Sequence, residues 1–233
     1  MLVNEEGRLS DNTNKLISIA VLGGTGKEGS GLALRWAHAG YKVIIGSRDA
    51  ERGAQAAKDL KETLGGDYSI TGGSNEDAAA QADLVVLSVP YAAHKPTLQA
   101  VQAHLAGKIL VDVTVPLVPP KVSQVHIPEG HAATLEARAM LGDNVRVVAA
   151  FQNVSAVKLK DLKQPVDCDV LVCADDDDAK AEVMQLVEAT GMRGIDAGPL
   201  ANAVAAEALT AVLLHINKTY KVKGAGIRIT GLA

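Results

Sequence analysis

Three glycines, Gly24, Gly26 and Gly29, follow directly on the apolar run 16–22, in the segment Gly24-Thr25-Gly26-Lys27-Glu28-Gly29. The spacing is G-x-G-x-x-G, and its physical content is definite. Gly24 permits a tight turn, Gly26 lets a pyrophosphate approach bare backbone, and Gly29 lets a following helix pack close to a sheet. That helix would aim its free N–H groups and the positive end of its dipole at the phosphates.

The residues after the second apolar run say which dinucleotide. A site for NAD places a carboxylate there, to bond the ribose 2′-hydroxyl. This chain reads Ile-Ile-Gly-Ser-Arg-Asp-Ala-Glu-Arg over 44–52, offering Ser47 and Arg48, with Arg52 one helical turn on. A hydroxyl and two guanidiniums suit a 2′-phosphate, so NADP(H) is expected. Asp49 reads as the cap of the helix that starts at residue 50. Ser88, Val89 and Pro90, and Thr114 further on, close two later apolar runs and would line the nicotinamide side. His94 is the histidine nearest that place.

The elements that must position these groups alternate. Apolar runs at 16–22, 42–45, 68–71, 84–88 and 108–113 read as strands, and 27–39, 50–64, 75–81 and 95–105 as helices. That rhythm predicts an α/β fold, a Rossmann-like doubly wound parallel sheet covered on both faces. Four prolines within 114–130 break it. Beyond them come a helix near 131–141, strands at 146–150, 169–173 and 193–196, and a long helix from about 200 to 220. We therefore expect a flexible leader at 1–15, a nucleotide-binding domain at 16–145 and a smaller carboxyl-terminal α/β domain at 146–233.

Bulk composition narrows the class. The chain has 233 residues, 48% hydrophobic, with a net charge of −4. That size allows a substantial core, and the charge gives no reason to expect nucleic acid. No apolar run approaches the roughly 20 residues of a membrane span, so no membrane partner is expected. Cys168 and Cys173 stand five apart in an apolar stretch and read as two buried reduced thiols on opposite faces of a strand, as in a cytoplasmic protein. The run Asp175–Asp178 lacks the alternation of a calcium loop and precedes a helix, whose N–H groups it would cap. No metal is expected.

Several segments together resemble the NADPH-dependent F-420 reductases, also called F-420H2:NADP oxidoreductases. They are the stretch 17–48 with its glycine loop and Gly-Ser-Arg, the stretch 69–90, Pro-Leu-Val-Pro at 116–119, Val-Leu-Val-Cys-Ala-Asp-Asp-Asp-Asp-Ala-Lys at 170–180, and Asp-Ala-Gly-Pro-Leu-Ala-Asn at 196–202. The resemblance implies hydride transfer between NADP(H) and coenzyme F-420, an 8-hydroxy-5-deazaflavin held as co-substrate in a cleft between the two parts of a homodimeric enzyme's subunit. By position, it implies that Thr25, Gly26, Lys27, Glu28, Ser47, Arg48 and Arg52 hold the adenosine and phosphates. Ser88, Thr114 and Ala156 would lie along the rest of NADP, and Gly198, Pro199 and Leu200 would border the deazaflavin. Gln152, with Asn153 beside it, stands where those relatives carry a histidine, and Ser155 stands where they carry a proline.

Direct hydride transfer needs no nucleophile and no metal. It needs two ring carbons brought to about 3–3.5 Å with water kept out, so no acid/base residue is assigned. Gln152 keeps open a reductase of another acceptor, such as a flavin, a quinone or a ferric chelate. A non-catalytic NADPH sensor would use the same nucleotide residues. Lys27 with Lys218, Lys221, Lys223 and Arg228 would steer an anionic partner, or merely complement a helix end.

Overall fold

The structure, a computed structural model, describes residues 17–232. The leader expected over 1–15 lies outside them. Eight strands form one sheet in the order β3-β2-β1-β4-β5-β6-β7-β8. They are β1 (Ser18–Leu22), β2 (Lys42–Ser47), β3 (Ile70–Ser74), β4 (Leu84–Leu87), β5 (Ile109–Asp112), β6 (Arg146–Ala149), β7 (Asp169–Ala174) and β8 (Arg193–Asp196). The first six run parallel; β7 turns antiparallel to β6, and β8 is parallel to β7.

The helices are α1 (Lys27–His38), α2 (Ala50–Leu64), α3 (Asn75–Gln81), α4 (Tyr91–Val101), α5 (Ala133–Leu141), α6 (Ala156–Leu159), α7 (Asp177–Ala189) and α8 (Ala203–Tyr220). Alternate strand residues feed two cores. Ile19, Val21, Val43 and Val86 pack with Leu32 and Trp36 of α1, Ala57 of α2 and Leu186 of α7. Ala20, Leu22, Val85 and Leu87 pack with Ala78 of α3, Leu98 of α4 and Ala137 of α5. This is why the inner strands read as unbroken apolar runs: neither face is wet. Cys168 joins the first core and Cys173 the second, both as free buried thiols.

The proline-rich break does not interrupt the sheet. β6 pairs with β5 in parallel register, Ile109 beside Arg146 and Asp112 beside Ala149. A boundary at 145 therefore falls between α5 and a strand of the same sheet, and residues beyond it extend that sheet instead of building another. Arg35 ties the two parts together from within α1. Its buried guanidinium donates to the carbonyls of Leu159 (2.8 Å), Thr190 (2.9 Å) and Asp161 (2.8 Å). Trp36 beside it donates from Nε1 to Leu186 O at 2.9 Å.

The strand order also fixes where a ligand goes. From β1 the chain passes outward to β2 and β3; from β4 it passes the other way, to β5 and β6. Connections leaving the carboxyl ends of β1 and β4 thus part to opposite sides, and the crevice between them is where open parallel sheets bind ligands.

Candidate active site

The first wall of that crevice is the turn after β1. Gly23 adopts φ +73°, the left-handed region, and a Cβ there would stand 2.4 Å from the Ser88 carbonyl oxygen. The tight turn thus belongs to Gly23, one residue ahead of the motif. A Cβ on Gly24 would meet Val21 O at 2.8 Å, and one on Gly29 would meet Gly23 O and Gly24 Cα at 3.0 Å. Those two glycines let α1 begin directly against the strand end. Gly26, the N-cap of α1, is exposed, so its backbone is open to a ligand. Asn75, first residue of α3, braces the turn from behind, its Oδ1 accepting Gly23 N–H at 3.4 Å.

Two hollows open along this wall. One, of about 520 Å³, runs from Ser47 and Arg48 past Ser74 and Asn75 to Pro90, Ala92 and Thr97. Ser47 is buried at the end of β2, its Oγ accepting Asp49 N–H at 3.2 Å, while Arg48 is exposed. Asp49 caps α2 as its sequence position predicts, accepting from the N–H groups of Glu51 and Arg52. The Arg52 side chain is exposed and does not line the hollow.

The second, about 490 Å³, is walled by Gly26, Lys27 and Glu28 on one side and by Ser88, Val89 and Pro90 beneath. Val113, Val115, Phe151, Gln152, Val154 and Thr210 close it opposite. Pro90 and Ala92 line both hollows, which therefore adjoin across the switch point as two parts of one groove.

Among the described residues, three buried side-chain oxygens have no hydrogen-bond partner: Glu28 Oε1, Thr114 Oγ1 and Gln152 Oε1. Buried polar atoms are satisfied as a rule, so orphans gathered at one crevice mark groups kept for a ligand. Glu28 and Gln152 line the second hollow; Thr114 is buried between Val113 and Val115, which also line it. Burial pushes the Glu28 carboxyl up to about 8. The start of α1 favours its anion by only about 0.3–1 kcal/mol, less than the 1.36 kcal/mol of a single pKa step. The carboxyl thus holds its proton more tightly than a solvated glutamate does.

Gln152 is aimed by its neighbours. Its Nε2 donates to Asp112 O at 2.8 Å, and its own carbonyl accepts Thr210 Oγ1–H at 2.6 Å. Phe151 just before it sits at φ +71°, a conformation that costs a non-glycine residue about 1–3 kcal/mol and is typical of ligand sites. Its ring is held edge-on against Trp36, with centroids 5.7 Å apart.

Beneath the cleft, Asp112 is fully buried at the end of β5. Its Oδ2 lies 2.6 Å from His94 Nε2, and its Oδ1 accepts Thr114 N–H at 3.0 Å. His94 thus lies behind the wall and supports the β5 turn. Burial lowers its pKa, but the Asp112 bond and charge more than reverse that, and the net shift is upward.

Other residues singled out in the sequence lie elsewhere. Thr25 lines a shallow hollow shared with Ser30, Asp59 and Lys160, on the α2 side of α1. Ala156 starts α6, half-buried and outside the cleft's lining. Asn153 is engaged with β7: its Nδ2 donates to Asp169 O at 2.7 Å and its Oδ1 accepts Leu171 N–H at 3.4 Å. Gly198, Pro199 and Leu200 form the turn after β8, where Gly198 N–H donates to Asp196 Oδ1 and Leu200 is buried in the second core. None of these four lines the groove; Thr210 of α8 does. Asp176 caps α7, accepting Ala179 N–H at 2.7 Å, and Asp175 accepts Leu200 N–H. Arg228 is held by Asp167 and Asp169.

Asn75, Asp112, Phe151 and Thr210 were not evident as site residues. The only signal was positional: Asn75 and Asp112 stand at the carboxyl ends of β3 and β5.

Comparison with known proteins accords with this arrangement. The family described as coenzyme F-420-dependent NADP oxidoreductase matches residues 18–116. The F-420-dependent NADP reductase of Methanothermobacter thermautotrophicus is 45% identical over 93% of this chain and 96% of its own length. That of Methanocaldococcus jannaschii is 43% identical over 93% and 99%. A solved structure from Arthrobacter sp. FB24, described as a candidate F-420-dependent NADP-reductase, superposes with a TM-score of 0.78 at 28% identity, covering 92% of this chain and 99% of the other. The chain belongs to the family of coenzyme F-420-dependent NADP oxidoreductases.

Proposed function

We propose that this chain passes hydride between NADP(H) and coenzyme F-420 by direct ring-to-ring transfer within the groove. The observation that carries this reading is that the two hollows adjoin at Pro90 and Ala92, one at Ser47 and Arg48 and the other at the start of α1. A dinucleotide lying along it puts its adenosine phosphate at Ser47 and Arg48, with Arg52 near, and its pyrophosphate over Gly26 at the start of α1. Its nicotinamide then lies between Glu28 and Gln152. NADPH supplies the hydride when bound, and the protein's part is orientation and the exclusion of water. Val89, Val113, Val115, Leu117 and Val154 make the ring end of the groove apolar, which suits both tasks. Gln152 Oε1 and Thr114 Oγ1 are free to bond a carboxamide or an imide edge.

The active unit is a homodimer in this reading. Support comes from α8: the 21-residue helical span Leu200–Tyr220, with mean hydropathy 1.4, is long and apolar enough by composition to cross a membrane, contrary to the expectation that no run approaches that length, and it is 33% buried, leaving an uncovered face for a second copy. The two free buried thiols support a cytoplasmic setting.

The test is a mixture of protein, NADPH and oxidised F-420, followed by the deazaflavin absorbance. Bleaching supports the proposal. No bleaching of F-420 together with reduction of FMN would replace it with a flavin reductase on the same nucleotide site.

A further inference from the structure

Glu28 occupies a position that a nucleotide-binding role does not explain. It is the second residue of α1, and a carboxylate there would oppose the pyrophosphate that a helix start attracts. Yet its side chain is turned into the cleft, with Oε1 closed off from solvent and bonded to nothing.

The groups around it leave it unneutralised. Besides Glu28, the titratable residues lining this hollow are Lys27 and Tyr91, while Arg48 and Glu76 line the adjoining one. Lys27 is exposed, and Tyr91 gives its hydroxyl hydrogen to Glu136 Oε2 at 2.9 Å. Of the cations on α6 and at its end, next to α1, Lys160 lines the hollow on the far side of Gly24. Lys158 lines another, beside Ser155 and Gly224. Asp59 of α2 faces the same hollow as Lys160. On α1 itself, Arg35 is committed to backbone carbonyls. Burial alone raises the Glu28 carboxyl.

Resting on the reading of this cleft as the nicotinamide pocket, we propose that Glu28 is the proton-holding partner of the hydride-transfer step, a carboxylic acid beside NADPH and a carboxylate beside NADP+. The C–H bond at carbon 4 of the reduced nicotinamide breaks, and its electron pair travels with the hydrogen to carbon 5 of the deazaflavin. The O–H bond of Glu28 breaks, and its proton goes to the deazaflavin ring nitrogen. NADPH, oxidised F-420 and Glu28–COOH become NADP+, reduced F-420 and Glu28–COO⁻. The donor ring is oxidised, the acceptor ring is reduced, and the carboxyl changes only its proton. A positive charge appears on nicotinamide as a negative one appears on Glu28, so the dry end of the groove stays neutral throughout. In the reverse direction the carboxylate takes the proton back.

Calorimetric titration of the intact protein tests this without turnover. NADP+ and NADPH are each titrated at neutral pH in two buffers of different ionisation enthalpy, which reports protons released on binding. The expected result is release of close to one proton with NADP+ and none with NADPH, and none with either form in Glu28→Gln. Equal release with both nucleotides, or undiminished release in the variant, would overturn the proposal alone. Binding of neither nucleotide would overturn it together with the nucleotide site. The wild-type comparison needs no variant to fold. In turnover, the proposal expects the wild-type rate of F-420 reduction to fall above about pH 8, and Glu28→Gln to slow the reaction about 10²-fold and to lack that fall. A variant as fast as wild type, or one keeping that fall, contradicts the role.

Discussion

His94 Nε2 and Asp112 Oδ2 meet at 2.6 Å with both side chains buried, and this pair braces the groove from behind its wall. Asp112 passes the constraint on, through its Oδ1 to Thr114 N–H and through its carbonyl to Gln152 Nε2. Three chain segments that meet only in the fold are thereby held in one register beneath the ring end.

The pair makes stability depend on pH with a definite sign. The folded pKa of His94 is raised, so the folded state holds the proton more tightly than the unfolded chain does. The contribution is complete below the ordinary histidine value near 6.5 and is lost as pH rises through the folded value. Urea midpoints should fall as pH rises above about 6.5, and His94→Gln should flatten that slope. His94→Leu, which leaves Asp112 buried without its partner, should cost about 3–5 kcal/mol.

Arg48 separates the two nicotinamide dinucleotides. Arg48→Ala should raise the NADPH dissociation constant about 10- to 100-fold, as expected for one charge-assisted bond of about 1.5–3 kcal/mol, and leave NADH nearly unchanged. Equal weakening of both would remove the 2′-phosphate from this end of the groove. Fluorescence titration of each nucleotide is sufficient.

Gly23 allows no side chain. Gly23→Ala combines φ +73° with a Cβ 2.4 Å from Ser88 O, so the turn must shift. The expected cost is about 1–3 kcal/mol of stability, with a larger loss of nucleotide affinity because Gly26 and the start of α1 move with it. Thermal melts with and without NADPH check both: the ligand-induced rise in Tm should vanish.

Glu207 of α8 reaches across to cap α5, its carboxylate accepting Ala133 N–H (2.7 Å), Thr134 N–H (3.0 Å) and Thr134 Oγ1–H (2.6 Å). Burial pushes its pKa up to about 7 against the pull of those bonds. Glu207→Ala strands the two buried N–H groups and should destabilise by about 2–4 kcal/mol. At about 2–4 °C per kcal/mol for a chain of this size, Tm should drop by roughly 5–15 °C.

What could be read from the sequence was what local pattern decides. The parallel core announced itself because β1, β4 and β5 are apolar on both faces, and Asp49 and Asp176 declared themselves as caps by standing just before helices. The glycine spacing located the phosphate end, though the turn proper fell to Gly23, whose left-handed backbone no spacing rule reveals. What stayed hidden depends on contacts between distant segments. Arg35 looked like one more helix charge, yet it bonds carbonyls more than a hundred residues away. The 146–196 strands read as a separate unit because prolines interrupt the rhythm, whereas pairing in space continues from β5 to β6. Asn153 sat beside Gln152 in sequence and turned the other way, to β7.

Direct transfer makes the hydrogen itself a tracer. With NADPH deuterated at carbon 4 on one face of the ring, in ordinary water, the account predicts deuterium at carbon 5 of reduced F-420 for one of the two diastereomers and none for the other, read by mass spectrometry. Solvent hydrogen at that carbon with both diastereomers would contradict ring-to-ring transfer in this groove.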